Sequence, residues 1–282
     1  YEGHVADNGL LGPMPWWNFL DWAPQYAAGA APGAYEGGSV TLSLQLAYTL
    51  RRAAELEDGL GEPGLATRYR SLADDLGAAA RKHAWDEERG LFADTPDKAS
   101  FSQHANAMAV LSGSVPQGEE AAVMERVLAD ESLTQATVYF RYYVDEAMVQ
   151  AGLADRYLER LDLWQDMVRV GLTTTPESPE PTRSDSHSWA AHPNYHLLAS
   201  VLGVRPASEG FGTVRIAPAL GEMRHASGTV PHPLGPIEVK LRRKGDAGIA
   251  ASITLPEGLE GTFVWNGAEV QLSSGAQEVE LP

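Results

Sequence analysis

The sequence has 282 residues, of which 44% are hydrophobic and 21% charged, the composition of an ordinary globular protein. Asp and Glu outnumber Lys and Arg by 38 to 21, so the formal charge of −17 excludes a nucleic-acid partner, whose phosphates require a positive surface. The absence of cysteine excludes disulfides and thiolate chemistry, and no apolar run is long enough to predict a membrane span.

Helical periodicity dominates the chain up to about residue 203. The predicted helices cover about 39–60, 65–85, 102–112, 119–129, 137–150, 155–168 and 187–202. Glycine and proline separate most of them, as is typical of helix ends. Paired helices in a toroid or a solenoid would both give this series, and the lack of a fixed repeat disfavours the solenoid.

The pattern changes after Arg205-Pro206. Short alternating or β-branched runs occupy 213–217, 236–241, 249–255, 261–265 and 278–281. Asn266-Gly267 is a strong signal for a tight hairpin turn. The sequence therefore predicts a mainly α protein with a β domain, divided into a helical domain over 1–205 and a small antiparallel β-sandwich over 206–282.

An aromatic segment precedes the first long helix. Trp16, Trp17 and Trp22 lie close together in a proline-flanked stretch, with Asn18 and Asp21 between them. Indoles stack on the apolar face of a sugar ring, and the amide and carboxylate can bind its hydroxyls. Three buried indole N–H groups would each need a partner, which makes core packing the less favoured alternative. The segment predicts a carbohydrate-binding surface.

A long polar connector, Thr173–Pro193, contains the best candidate for a catalytic group. Glu177 lies between two prolines and follows three threonines, whose hydroxyls can orient a carboxylate or a water. A general base requires a fixed carboxylate aimed at a water molecule. His187 opens the next helix beside Trp189 and can donate to a sugar hydroxyl. A solvated loop acid is the alternative interpretation of Glu177.

Two other clusters favour structural interpretations. His192 and His196 have the spacing of metal ligands on a helix, but no third ligand follows at a suitable distance, so we interpret them as capping or core histidines. The acids and arginine of Asp86–Arg89 end a predicted helix, where charged residues are usually solvated.

The connector also resembles a known family. Gly171-Leu-Thr-Thr-Thr-Pro-Glu177 is similar to the Gly-Ala-Thr-Thr-x-Trp-Glu signature of bacterial α-L-rhamnosidases, glycoside hydrolase family 78 (GH78). Further similar segments are Leu20–Trp22, Pro181–Trp189 and Gly228–Gly235. The resemblance implies part of an (α/α)6 barrel followed by a C-terminal β-sandwich. It also implies inverting hydrolysis of terminal α-L-rhamnose by water, without a cofactor or a metal.

The resemblance assigns a role to each matching residue. Glu177 matches the general base, His187 a sugar ligand, and Trp22 a tryptophan that stacks on rhamnose, while Leu20, Leu172 and Pro176 depart from the family pattern. Trp16, Trp17, Asn18 and Asp21 are expected to complete the pocket, and Arg183 and Asp185 to position the loop or contact hydroxyls.

The general acid of that family, a glutamate in the first half of the barrel, has no counterpart here. We therefore expect the chain, which begins at Tyr1, to be the C-terminal portion of a longer enzyme, with the missing N-terminal half as a partner, and to be inactive alone. Another inverting (α/α)6 glycosidase, or a non-catalytic sugar-binding or scaffold protein on this fold, remains an alternative. The compartment is undetermined.

Overall fold

The computed structural model describes residues 1–282, which divide into two compact units, Tyr1–Leu153 and Ala154–Pro282. None of the helices has both the length and the hydrophobicity that crossing a membrane requires. Each unit is described separately below.

The first unit contains five α-helices and one short β-hairpin. The helices are α1 Val40–Gly59, α2 Pro63–Ala84, α3 Gln103–Leu111, α4 Glu120–Ala129 and α5 Arg141–Gln150. Irregular backbone with two 3-10 turns, Glu2–His4 and Ala27–Gly29, precedes α1. All five helices were predicted from the hydrophobic periodicity, with ends that differ by up to four residues.

Local capping explains where the first helices begin. The Ser39 hydroxyl accepts a hydrogen bond from the Leu42 amide, which satisfies one of the free N–H groups at the start of α1. Pro63 occupies the first position of α2, where its missing N–H costs no hydrogen bond. The two helices pack through a shared cluster to which α1 contributes Ala47 and Leu50.

The sequence prediction is wrong around residues 85–92. Helix α2 stops at Ala84, and the next residues form a hairpin in which β1, Trp85–Asp86, pairs antiparallel with β2, Leu91–Phe92. Arg89 in the turn pairs with Asp130 at 2.9 Å. The charged residues thus belong to a turn rather than a helix end, and the half-exposed pair is solvated as expected.

The second unit begins with short, interrupted helices. They are a 3-10 helix Ala154–Arg160, α6 Asp162–Arg169, a 3-10 turn Ser188–Ala191, α7 Pro193–His196 and a π-helical turn Leu197–Val201. The sequence predicts continuous helices over 155–168 and 187–202, and both are broken in the structure. In the last turn the Leu202 amide donates to the Leu197 carbonyl, a five-residue step that widens the helix.

Eight strands follow, in two four-stranded sheets. They are β3 Val204–Pro206, β4 Thr213–Ile216, β5 His225–Val230, β6 Ile237–Lys244, β7 Gly248–Leu255, β8 Glu260–Trp265, β9 Ala268–Leu272 and β10 Gly275–Leu281. The sheet orders are β10-β7-β6-β5 and β3-β4-β8-β9. Pairing is antiparallel except between β4 and β8, which run parallel, so the predicted purely antiparallel arrangement is corrected at that pair.

The two sheets share one hydrophobic core, as the layers of a β-sandwich do. Ile216 and Phe263 from one sheet and Val239 and Ile253 from the other belong to a single buried cluster. Alternate residues of β6 are buried and exposed, as one solvated face requires. Asn266-Gly267 forms the tight turn between β8 and β9, with positive φ at both residues, as predicted.

A buried carboxylate in the first unit makes the folding stability depend on pH. Asp94 is fully buried, and its Oδ1 accepts a hydrogen bond from the Ser102 hydroxyl, whereas its Oδ2 has no hydrogen-bond partner. Burial raises the pKa of Asp94 above its ordinary value, and the hydrogen bond from Ser102 opposes this only in part. The ionised form therefore weakens the folded state.

We expect Asp94→Asn to gain stability relative to the wild-type protein as pH rises. Because the folded-state pKa is raised, the wild-type carboxyl loses stability as pH increases from about 4, its unfolded value, through the folded pKa. The asparagine side chain does not titrate, so the variant does not lose this stability. Chemical unfolding of both proteins at pH 4 and pH 7 measures the difference, and an identical difference at both pH values would contradict the expectation.

Candidate functional site

The connector that contains Glu177 is closed by backbone hydrogen bonds within the second unit. The Glu177 amide donates to the Ser184 carbonyl at 2.9 Å, and the His187 amide donates to the Thr175 carbonyl at 2.7 Å. These bonds hold the two limbs of the loop side by side. A long segment without regular secondary structure thereby acquires a defined conformation.

The threonine hydroxyls fix the backbone of this loop. Thr174 Oγ1 donates to the Asp185 carbonyl at 2.5 Å, and Thr175 Oγ1 donates to the His187 carbonyl at 3.2 Å. The sequence suggested that these hydroxyls orient a carboxylate or a water. The structure instead shows them joining the limbs of the loop, so that they position Glu177 indirectly.

The Glu177 side chain is buried and paired with a forked guanidinium. Its exposed fraction is 8%. Arg183 Nε lies 3.0 Å from Oε2, and Arg183 Nη2 lies 2.5 Å from Oε1, while the arginine side chain itself is 74% exposed. The fork fixes the plane of the carboxylate, and each oxygen retains a further lone pair. Such a carboxylate can accept a proton from a water molecule.

Two aromatic residues that follow this carboxylate in the sequence contact one another. The His187 and Trp189 rings lie 4.2 Å apart, and the Trp189 indole N–H donates to the Glu177 carbonyl at 3.3 Å. Asp185 is exposed. Glu177, Arg183, Asp185 and His187 all lie in this one loop, where acceptors and donors for sugar hydroxyls are available.

The aromatic segment of the first unit forms an exposed cluster. Trp17 and Trp22 are 62% and 40% exposed, and their ring centroids are 6.2 Å apart. Phe19 contacts both indoles, with centroids 5.5 Å from Trp17 and 5.0 Å from Trp22. Indoles that are exposed in this way are available for stacking.

Trp16 belongs to a different aromatic group. It is 54% exposed and packs against the His4 ring at 5.2 Å and the Tyr1 ring at 6.1 Å. The three indoles therefore do not form one continuous stack. The surface predicted from the sequence is divided into a Trp17–Trp22 cluster and a separate Trp16 contact.

Asp21 has a role that the sequence did not suggest. It is fully buried, and its Oδ2 accepts from His104 Nε2 at 2.7 Å and from the Thr137 amide at 2.8 Å. Its Oδ1 accepts from the Trp22 amide at 3.0 Å and from the Thr137 hydroxyl. The carboxylate ties the aromatic segment to α3 and to the turn before α5, and both of its oxygens accept hydrogen bonds from the protein.

The histidine pair of the second unit packs as core residues do. The His192 ring contacts Trp164, and the His196 ring contacts Tyr157, each with centroids 4.9 Å apart. His196 Nδ1 lies 3.2 Å from the Ser200 hydroxyl. Both side chains are buried.

Among the comparisons with known proteins, the match to a family profile lies in the second unit. The profile of the bacterial alpha-L-rhamnosidase C-terminal domain matches residues 203–280, which contain the β-sandwich. Residues 203–280 are thus similar to that domain. The relationship to GH78 α-L-rhamnosidases, which the sequence motifs predict, is thereby confirmed. No curated protein matches the chain.

Solved structures extend the likeness to rhamnosidases over most of the chain. The GH78 family rhamnosidase of Bacillus sp. GL1 is 28% identical, with a TM-score of 0.80, over 94% of this chain and 29% of that enzyme. The α-L-rhamnosidase of Aspergillus terreus is 19% identical, with a TM-score of 0.79, over 98% and 34%. The α-L-rhamnosidase of Dictyoglumus thermophilum is 15% identical, with a TM-score of 0.70, over 84% and 31%.

These rhamnosidases are much longer than this chain, which covers between 29% and 34% of their lengths. The two enzymes below 20% identity show the shared fold alone. Together with the domain match, the Bacillus enzyme shows that this chain is similar to about a third of a rhamnosidase.

Sequence reasoning missed the groups that hold the rhamnosidase-like segment Leu20–Trp22. His104 is fully buried and lies 83 positions from Asp21, and Thr137 lies 116 positions away. No local pattern connects residues at such separations. The only available signal was His104 itself, a polar residue in the first turn of a helix whose other residues are largely apolar.

Proposed function

We propose that this chain is the C-terminal portion of an inverting α-L-rhamnosidase. Residues 1–205 would complete part of an (α/α)6 barrel, and residues 206–282 would form its C-terminal β-sandwich. The observation that carries the proposal is a buried Glu177, held by Arg183 in a hydrogen-bonded loop, within a chain related to GH78 enzymes.

Glu177 acts as the general base in this proposal. Its carboxylate removes a proton from the water that attacks the anomeric carbon of rhamnose, and water is therefore the nucleophile. A general acid must protonate the leaving oxygen from the other face, with the two carboxyl groups about 6.5–9.5 Å apart in an inverting enzyme. We assign that acid to the N-terminal half of the complete enzyme, so the present chain alone is expected to be inactive.

The remaining site residues bind the sugar or support those that do. Trp22 and Trp17 present indole faces to the apolar side of a sugar ring, and their exposure supports that role. His187, Arg183 and Asp185 supply donors and acceptors for hydroxyls. Asp21 acts through the position of Trp22 rather than by contact with the substrate.

Two alternatives use the same fold. Another inverting (α/α)6 glycosidase would keep Glu177 as the base and bind a different sugar. A non-catalytic sugar-binding or scaffold protein would keep the exposed indoles but would not need a general acid in the rest of its chain. Fold alone does not separate these functions, so the substrate must be measured.

A panel of aryl glycosides on the complete enzyme tests the proposal. We expect release of the aryl group from the α-L-rhamnoside, with the β-anomer of the free sugar as the first product seen by NMR if the mechanism inverts. Hydrolysis of a different glycoside would support the first alternative. Sugar binding without hydrolysis of any glycoside would support the second.

A further inference from the structure

A small pocket lies between the aromatic segment and helix α1. Its volume is about 230 Å³. The residues that line it are Tyr1, Asn18, Phe19, Leu42, Gln45, Leu46 and Thr49. Four of them follow one face of α1 at helical spacing. The pocket shares Phe19 with the exposed Trp17–Trp22 cluster but contains none of the three indoles.

Asn18, one of the lining residues, has a buried polar atom without a partner in the protein. The residue is only 5% exposed. Its Nδ2 donates to the Trp16 carbonyl at 2.7 Å, which determines the orientation of the amide, and its Oδ1 forms no hydrogen bond. A buried carbonyl oxygen without a donor costs free energy, so this oxygen favours an occupant that brings a hydroxyl or an N–H group.

The other lining residues restrict the chemistry of such an occupant. Leu42, Leu46 and Phe19 provide apolar contacts, whereas Gln45 and Thr49 add an amide and a hydroxyl. None of the lining side chains carries a charge, and a charged ligand would lose its hydration without compensation. Sites of drug-sized ligands measure roughly 300–1,000 Å³, so this pocket admits only a single small ring.

We propose that the pocket binds one neutral monosaccharide ring, with a ring hydroxyl donating to Asn18 Oδ1. The apolar face of the sugar packs on the leucines and Phe19, and its remaining hydroxyls face Gln45 and Thr49. The choice of a sugar as the occupant rests on the proposed glycosidase function. The pocket and its unpaired acceptor do not depend on Glu177 being a base.

Two tryptophans allow binding at the pocket and at the Glu177 loop to be observed separately. The backbone carbonyl of Trp16 accepts the hydrogen bond from the Asn18 amide, and the Trp189 indole N–H donates to the Glu177 carbonyl. In complete enzyme labelled with 5-fluorotryptophan, the fluorine resonances of both can be assigned by Trp16→Phe and Trp189→Phe. We expect titration with L-rhamnose at millimolar concentrations to shift the Trp16 resonance in a saturable way.

Matched variants on α1 test whether that shift arises from the pocket. Thr49→Phe blocks the pocket from an exposed rim position and is expected to abolish the Trp16 shift. Leu56→Phe lies on the same face two turns further along, is 63% exposed, and should leave the shift unchanged. Asn18→Leu should weaken binding about tenfold because one hydrogen bond is lost.

The outcomes separate this inference from the proposed function. A Trp16 shift that persists in Thr49→Phe, or no saturable Trp16 shift with any neutral sugar, would overturn the pocket assignment and leave water as the occupant. A Trp189 shift without a Trp16 shift would do the same while keeping a sugar site at the Glu177 loop. A Trp16 shift in an enzyme that hydrolyses no glycoside would support the pocket and remove the catalytic proposal.

Discussion

Glu177→Gln in the complete enzyme is expected to lower kcat on an aryl α-L-rhamnoside by about 10²–10⁴-fold, the contribution typical of a general base. Glutamine keeps the shape of the side chain but cannot accept the proton from the attacking water. The fold should survive, because the substitution removes a buried charge and leaves Arg183, which is 74% exposed, free to be hydrated. Steady-state kinetics and a thermal unfolding curve measure the two effects.

Glu180→Gln is the matched control for this variant. Glu180 lies three residues further along the same loop, is exposed, and accepts a hydrogen bond from the Thr182 amide. The two variants lose the same charge by the same chemical change. We expect kcat of Glu180→Gln to stay within a few-fold of the wild-type value. Equal losses in the two variants, or nearly full activity of Glu177→Gln, would remove Glu177 from the mechanism.

Asp21→Asn is expected to lower the free energy of unfolding of the first unit by about 3 kcal/mol, because one oxygen that accepts two hydrogen bonds becomes a donor. Either His104 and the Thr137 amide, or the Trp22 amide and the Thr137 hydroxyl, lose their acceptor inside the protein. For a unit of this size we expect the Tm to fall by roughly 10 °C.

Asp7→Asn provides the control for stability. Asp7 is exposed and belongs to the same unit, so both variants change the net charge equally. We expect its Tm to stay within about 2 °C of the wild-type value. If Asp21→Asn were as stable as Asp7→Asn, the buried network would not anchor the aromatic segment, and Asp21 would return to the role of a sugar ligand.

Several elements could be predicted from the sequence because their causes are local. Ser39 and Ser102 cap α1 and α3 with their own hydroxyls, and the apolar spacing that follows each serine specifies a helix. The alternation along β6 and the Asn266-Gly267 turn likewise depend on neighbouring residues. The motif around Glu177 was recognisable for the same reason, since all its residues lie in one connector.

Other predictions failed where the deciding contact is distant in sequence. The antiparallel pairing of Trp85–Asp86 with Leu91–Phe92 places the charged residues after α2 in a hairpin turn, which the helical periodicity did not indicate. The parallel pairing of β4 with β8 joins strands that are separated by three others in the sequence. Strand β5, His225–Val230, has no strong apolar alternation and exists because β6 pairs with it.

The sequence by itself determined the helical region, the β-rich C-terminal region, the charge balance and the relationship to rhamnosidases, because each depends on composition, periodicity or a contiguous motif. Only the tertiary structure decided that Asp21 is buried and hydrogen-bonded to His104, and that Arg183 hydrogen-bonds to both carboxylate oxygens of Glu177. It alone revealed the unpaired Asn18 oxygen at a small pocket. Burial and hydrogen-bond partners depend on residues that folding brings together, and the spacing of residues along the sequence does not indicate them.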